Sequence, residues 1–562
     1  MRSSMLLRAV PLAVATTLVS SFAGATNVTE FPDNGSEQMG RGGAWVARAS
    51  DPLAAFFNPA GLAGQDTRIT LQANVSFSHR CFHRTFAQND TTRDQLVDPA
   101  NGQYQFPRVC ADDTPFPNPQ LGFTWRVNDR IGIGFLPLLG PSAVGTSQWP
   151  EFVDGKSRNL PSPQRYLLLD SNAILITPTL GAGFEVMDGL RIGASFQWGM
   201  ALKAHFSNAS AAQNGNNLDP ATNDVKAQID AKQLFIPGFT LGALWSATDS
   251  LDVAAWYKWS APIDAKGDVT TYANYFTPQV ANGDTSHVKV GDSSQPDCGS
   301  GAAGNPCGSG NNANIKLPIP MEAKLGLRYH KLRSDTVREP HRRDPLSQDV
   351  YDVEIDFTWA NNSAFDAIQL RFPADPSGNG GSIIPVNGIP GGVVPANGDV
   401  PHQYKDVLGV RLGGDYNVMP DKLAVRAGAF FETRGQDQTY QNIDFAGAER
   451  FGLSLGATYR IRFGESTTNA TTGAKKPGNA LELMAGFGHV FFAAQDNKQV
   501  DGQGLKGLAG GPCNPAENPA GGTCSAPPGG SGNQKYRTNW PVNLGTITNS
   551  VNVINVGVAY RF

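Results

Sequence analysis

Long apolar runs are missing from the body of this 562-residue sequence. No interior stretch reaches the ~18 consecutive apolar residues of a membrane-crossing helix, and mean hydropathy is −0.28. A helical-bundle membrane protein is thereby excluded. Charge is scarce as well: Asp, Glu, Lys and Arg make up 17% of the chain, where ~25% is usual. Apolar residues reach only 40%, below the ~45–50% of soluble globular domains. A net charge of −4 and a pI near 6.1 leave no bulk attraction for nucleic acid. Cysteine is rare, at six residues. Gly (63), Pro (39), Asn, Ser, Thr and Gln fill the space instead. That composition suits an extended β structure with many loops, and it suits a large cytosolic enzyme poorly.

The first residues stand apart. Arg2 and Arg8 open a positive start, residues 9–19 are apolar apart from two Thr, and Ala23-Gly24-Ala25 fits a cleavage site. Residues 1–25 therefore read as a secretory signal, the apolar run being too short for an anchor that spans. The cysteines agree with export. Cys81 and Cys110, Cys298 and Cys307, and Cys513 and Cys524 form three sequential pairs, each within one stretch rich in Gly, Pro and Asn. Disulfide-stapled loops in an oxidising compartment follow. The C-x₂₋₄-C spacing of a zinc site is absent, so neither a metal nor a cofactor is expected.

The dominant pattern has period two. Phe451, Leu453, Leu455, Tyr459, Ile461 and Phe463 alternate with Arg450, Ser454, Thr458, Arg460 and Arg462. Ile554, Val556, Val558, Tyr560 and Phe562 repeat it, as do Ile315, Leu317, Leu325, Leu327 and Tyr329 against Lys316, Lys324 and Arg328. Segments of ~10 alternating residues separated by turns are the signature of a transmembrane β-barrel. Lipid offers the backbone no hydrogen bonds, so strands must pair fully and close. A soluble sandwich also alternates, but its strands are shorter and its inner face would not carry so many Arg and Glu. The spacing predicts fourteen strands, at 69–79, 119–127, 130–140, 170–186, 190–204, 233–247, 251–267, 314–331, 349–361, 404–418, 422–434, 450–463, 479–493 and 550–562. Short and long connections alternate, and all the cysteines fall in the long, external ones. The predicted fold is all-β: a 14-stranded antiparallel transmembrane barrel at 67–562. Residues 26–66 precede it with no strand of their own. They hold one compact apolar block around Phe56 and Phe57, which fits a plug in the lumen better than a disordered tail.

At these residues the chain resembles the FadL family of outer-membrane transporters for long-chain fatty acids, which includes the aromatic-hydrocarbon transporters. The resemblance rests on Phe57-Asn58-Pro59-Ala60-Gly61-Leu62, on Val127-Asn128-Asp129-Arg130 leading to Gly134-Phe135-Leu136-Pro137-Leu138-Leu139-Gly140, and on Tyr404-Lys405-Asp406. Asp421-Lys422-Leu423-Ala424-Val425-Arg426-Ala427-Gly428 and the terminal Tyr560-Arg561-Phe562 complete it. It implies a Gram-negative outer-membrane barrel with an N-terminal hatch and passive uptake of a hydrophobic small molecule. Asn58, Pro59 and Ala60 match the hatch motif; Phe56 and Phe57 line a pocket or pack the hatch. Family members begin the mature chain with an aromatic that reaches the substrate, and Phe31 is the first aromatic here. Pro137, Gly140 and Pro141 would bend the third strand, since proline breaks the ladder, and give a lateral opening. The terminal Phe562 is an assembly signal, which implies the outer-membrane assembly machinery as a partner beside membrane lipids. The barrel is expected to work alone, as a monomer.

A carboxylate head group would want a cation. Arg411, Arg426 and Arg460 are inward candidates, although pairing with lumen carboxylates such as Glu432, Asp352, Glu354 and Asp356 accounts for them equally. Catalytic readings fall away. Gly452-Leu453-Ser454-Leu455-Gly456 has the G-x-S-x-G spacing but lies mid-strand, where no nucleophile elbow forms. His79 and His83 sit at a strand end beside Cys81, and the glycines at 529–532 lack the lysine and helix of a phosphate loop. Two other classes use the same barrel: a surface receptor or adhesin, whose loops would act, and a general porin, which would need no plug.

Overall fold

The computed structural model describes residues 35–85, 96–97, 104–139, 146–155, 158–211, 224–273, 288–292, 313–334, 341–372, 381–385, 393–395, 397–445, 447–463, 467–468, 475–476, 478–497 and 542–562. Its wall is a closed antiparallel sheet of fourteen strands. They are β1 (Arg68–Arg84), β2 (Phe116–Arg126), β3 (Ile131–Leu139), β4 (Asp170–Ile176 and Thr179–Met187), β5 (Leu190–Ala211) and β6 (Asp224–Ser246). Then come β7 (Leu251–Ser260 and Ile263–Ala273), β8 (Ala313–Leu317 and Glu322–Leu332), β9 (Asp349–Ala360) and β10 (Val407–Met419). β11 (Leu423–Glu432), β12 (Arg450–Arg462), β13 (Ala480–Phe492) and β14 (Gly545–Arg561) follow. Each pairs with its sequence neighbour, and β14 closes the ring on β1 from Arg68↔Arg561 to Arg84↔Gly545. No sheet edge is left for lipid to meet, as a spanning sheet requires.

The alternation sorts as expected in the lower wall, the end with the short turns. On β12, Phe451, Leu453 and Leu455 are exposed to the surroundings while Arg450, Ser454, Thr458 and Arg460 are buried in the lumen. At the turns, Asn128 Oδ1 accepts from the Arg130 and Ile131 amides, and Gly189 takes the positive φ that its two-residue turn demands.

The upper wall departs from the predicted strands. The segments expected to be continuous at 170–186, 251–267 and 314–331 are each broken, at Pro178, Pro262 and between Pro318 and Pro320. Proline cannot donate to the ladder, and the pleat loses its phase at the break. On β8, Leu325 and Leu327 face outward as predicted, but Ile315 and Leu317, expected beside them, are fully buried. β5 and β6 shift register at the same level, between Gly199 and Ala204, with no proline in β5. Above this belt the polarity inverts. Asp230, Asp264 and Lys316 stand outside, while Ala227, Ile229, Ile263, Ala265, Ile315 and Leu317 join one apolar cluster inside. The inversion has a direct cause: the lower wall faces hydrocarbon, and the upper wall faces water.

The segment 35–66 lies inside the ring. It forms helices α1 (Ser36–Gly40) and α2 (Ala54–Phe57) and a 3₁₀ turn, Pro59–Leu62, and almost all of it is buried. The disulfide Cys81–Cys110 forms. It joins the end of β1 to the short strand Arg108–Cys110, in register Cys81↔Cys110, so it staples a strand extension and not a free loop. Cys298, Cys307, Cys513, Cys524, Phe31, Gly140, Pro141 and the predicted signal lie outside the described residues.

Candidate functional site

The plug is held by charge on one side. β9 and β10 aim four carboxylates inward: Asp352, Glu354, Asp356 and Asp415, all buried. Such a column cannot stay ionised in a closed lumen without cations. The plug supplies two. Arg41 Nη1 reaches Asp352 at 2.6 Å and Asp415 at 2.7 Å, and its Nη2 reaches Glu354 at 3.2 Å. Arg48 pairs with Asp352, with Asp415 at 3.1 Å and with Glu37 at 3.0 Å. Main-chain donors finish the clasp: Asp356 Oδ2 accepts from the Trp45 amide at 2.8 Å and the Val46 amide at 3.1 Å, and Glu354 Oε1 accepts from the Ala47 amide at 2.6 Å. Burial alone would raise the Glu37 carboxyl, but Arg48 and Arg426 hold it well below the usual range. Asp51 has no such pairing. Burial pushes it up to about 6, against the pull of Arg68. The plug residues Arg41, Arg48 and Glu37 were not singled out in the sequence. Three inward acids in succession on β9 were the signal that cations must come from elsewhere.

On the other side the plug is held by shape. Asn58 is fully buried. Its Oδ1 caps the 3₁₀ turn at the Ala60 amide, and its Nδ2 donates to Val46 O at 2.8 Å and to Ala243 O of β6 at 3.4 Å. Pro59 and Ala60 lie on a floor of wall glycines. A Cβ on Gly193 would stand 2.3 Å from the Pro59 carbonyl carbon, one on Gly183 2.5 Å from Pro59 O, and one on Gly132 2.0 Å from Leu62 O. Only glycine admits so close an approach. Phe56 and Phe57 meet edge to face at 5.0 Å. Lys258 lies over Phe56 and Lys324 over Phe57, so both rings pack at the junction of plug and wall.

Arg411, Arg426 and Arg460 all point into the lumen, and each has a carboxylate: Glu432 at 2.9 Å, Asp415 at 3.3 Å, and Asp344 and Glu482 at 2.7 Å. Ser454 accepts from the Gly42 amide at 2.8 Å, a wall-to-plug contact. His79 lies beside Cys81 and Cys110, but both sulfurs are spent in the disulfide and cannot ligate. Pro137 stands where the β3–β4 register breaks, one residue past the pair Leu136↔Thr179, and beyond it the Thr177 amide still donates to Leu139 O at 2.8 Å. Beyond residues 140–145, the strand Thr146–Gln148 resumes the pairing with β4.

Above the plug, the upper parts of β4 to β8, with Phe365, Ile368, Leu370, Phe372, Tyr404 and Phe445, pack into one buried apolar inner cluster. Phe365, His402, Tyr404 and Phe445 stack at its rim, with ring centroids 4.9–6.1 Å apart. His402 Nε2 meets Asp444 Oδ2 at 2.9 Å. Of the Tyr404-Lys405-Asp406 motif, Tyr404 joins this cluster, and Asp406 ties Trp359 Nε1 to the Ser363 amide at 3.0 and 3.1 Å. The arrangement is a lumen blocked by a polar, clasped plug and lined above it by hydrocarbon.

Known proteins bear the architecture out. Residues 13–471 match a family model described as outer membrane protein transport protein (OMPP1/FadL/TodX). The crystal structure of a Pseudomonas aeruginosa FadL homologue is similar, with a TM-score of 0.61 at 17% identity over 96% of this chain and 100% of that one. The Ralstonia pickettii toluene transporter TbuX follows at 0.51 and 13%, over 96% and 100%. The Pseudomonas putida toluene transporter TodX stands at 0.50 and 14%, over 95% and 99%. No curated protein sequence matches the chain. At such identities the structural likeness speaks for the fold, and the family model carries the rest: the chain belongs to the outer membrane protein transport family (OMPP1/FadL/TodX), whose members are barrels of the Gram-negative outer membrane and not enzymes.

Proposed function

We propose that the protein takes up hydrophobic small molecules, long-chain fatty acids or similar lipophiles, by passive diffusion gated by the plug acting as a hatch. The observation that carries this is the inversion above the belt: an apolar inner cluster, packed in this resting state, lies above a plug that fills the lumen. A lipophile gains ~25 cal/mol per Å² buried in such a cluster. A water-filled porin lumen would give it nothing, and the charged outer leaflet would repel it. Asn58, Pro59 and Ala60 are the moving part in this reading, because their seat on wall glycines makes few bonds that must break. The break in the β3–β4 register at Pro137 supports a lateral opening there.

The test is uptake of radiolabelled oleate and toluene by cells with and without the chain, alongside Asn58→Ala. The chain is expected to speed uptake of at least one compound, and the variant to lose that gain. If neither compound moves faster while the protein is folded in the outer membrane, the transport reading falls and a receptor role takes its place.

A further inference from the structure

The connection from β8 to β9 is long where its neighbours are short. The connections at 127–130, 188–189 and 247–250 close the same end of the barrel with two to four residues. A barrel therefore needs no more to join two strands, and residues 341–348 have work of another kind. They cross the short-turn mouth from one wall to the other. His341 Nδ1 meets Glu185 Oε2 of β4 at 2.8 Å. Asp344 meets Arg460 of β12 at 2.7 Å and Arg561 of β14 at 3.5 Å. Pro345 O accepts from Asn417 of β10 at 2.9 Å, and Leu346 is buried.

Between these anchors the segment grips the plug. Arg342 forks onto Asp66, Nε to Oδ1 at 3.0 Å and Nη2 to Oδ2 at 2.8 Å. The Arg343 amide donates to Gly64 O at 2.9 Å. Its Nη2 donates to Ala47 O at 2.7 Å and Arg48 O at 3.0 Å.

From this geometry we propose that residues 341–348 are a strap that locks the plug from below, and that the strap's grip sets how readily the plug yields to a passing substrate. The inference rests on the hatch reading above and adds a second closing element to it. The strap is built unevenly. Its ends are strong charge-assisted pairs. Beside the Arg342–Asp66 fork, Arg343 is its weak point: it is buried, its guanidinium donates only to carbonyls, its Nη1 has no hydrogen-bond partner, and Asp252 acts on it only at a distance. Burial, with Arg191 and Arg328 nearby, pushes this guanidinium down to about 9. Letting go of the plug returns that charge to water, which lowers the cost of release. The strap thus holds the plug and stays releasable.

The experiment uses the full-length protein in planar bilayers and in cells. Arg342→Ala and Asp344→Asn are compared with wild type for leak conductance and for oleate and toluene uptake. Heat-modifiable migration on gels reports that the barrel has closed. Both variants are expected to raise leak conductance at least threefold and to speed uptake, with the barrel intact. Conductance and uptake equal to wild type in a folded barrel overturn the strap. A wild-type protein that moves neither compound overturns the hatch reading instead, so the two failures are distinct. Hydrogen exchange on the unmodified protein gives a check free of variants. Amides of 341–348 and of 44–66 are expected to open together as one unit; plug amides that open while the strap stays protected overturn the proposal.

Discussion

Asp51 is the residue that gives the plug a pH dependence. Its Oδ1 accepts from the Leu53 amide at 2.7 Å, and its Oδ2 has no partner. Arg68, Glu37 and Gln72 face it. Burial raises it from 3.8 to about 6, so the seated plug binds a proton that a released plug would shed. The seated state is favoured fully below ~4 and loses that advantage as pH rises through 6. The displacement is worth roughly 3 kcal/mol at most. Glu37 and Asp66 are held low and titrate only in stronger acid. The protection of the plug amides, taken relative to their intrinsic exchange rate at each pH, is expected to rise when pH falls from 7.5 to 5, and Asp51→Asn is expected to erase most of that rise. Equal pH dependence in the two proteins would assign the effect elsewhere. At this scale the sequence was legible in part. The N-P-A block marked Asn58, which sits buried at the centre of the plug. Arg41 and Arg48 carried no local signal, because the acids that need them are some three hundred residues away on β9 and β10.

Elements explain where the plug can sit. The alternation on β12 and β14 could be read directly, since lipid outside and polar lumen inside impose one phase along the whole strand. The same rule misled on β8. Ile315 and Leu325 share a parity, and only the prolines at 318 and 320 tell that the phase is lost between them. The strap's role was not legible, since nothing in its residues shows that Asp344 finds Arg460. The glycines were legible as wall residues but not as a seat; their purpose depends on Pro59 and Leu62 approaching across the lumen. Gly193→Val tests that purpose. Valine suits a strand, so the barrel is expected to close. The new Cβ, however, meets the Pro59 carbonyl carbon at 2.3 Å and the Ala60 amide at 2.4 Å. Overpacking of this kind costs ~1–3 kcal/mol, enough to unseat a loosely bonded 3₁₀ turn. Leak conductance in planar bilayers is expected to rise several-fold. A folded Gly193→Val barrel as tight as wild type would mean that this contact does not close the lumen.

The whole molecule is two barrels of opposite polarity sharing one set of strands. Below the belt, hydrocarbon lies outside and the inner face carries charge, which the plug and strap neutralise. Above it, water lies outside and the inner face is free to be apolar. A lipophile arriving from outside therefore meets a favourable surface before it meets the barrier, and a clasped plug excludes water and ions meanwhile. This order gives a prediction that separates binding from gating. Ile229 and Ile315 are fully buried in the upper cluster, on β6 and β8, well away from the charges that hold the plug. Both are packed in the resting structure, so a lipophile meets them only as it parts the cluster; changing both to Asn would then remove on the order of 60 Å² of apolar contact from the bound state. At ~25 cal/mol/Å² that is about 1.5 kcal/mol, or roughly tenfold in affinity. Uptake at low substrate concentration is expected to fall by about that factor, and to recover as concentration rises. Leak conductance is expected to stay at the wild-type level, because the plug is untouched. The Gly193 and strap variants should show the opposite pair of effects. If Ile229→Asn/Ile315→Asn instead leaks, the upper cluster supports the plug. If it transports normally in a folded barrel, the substrate takes another way to the wall.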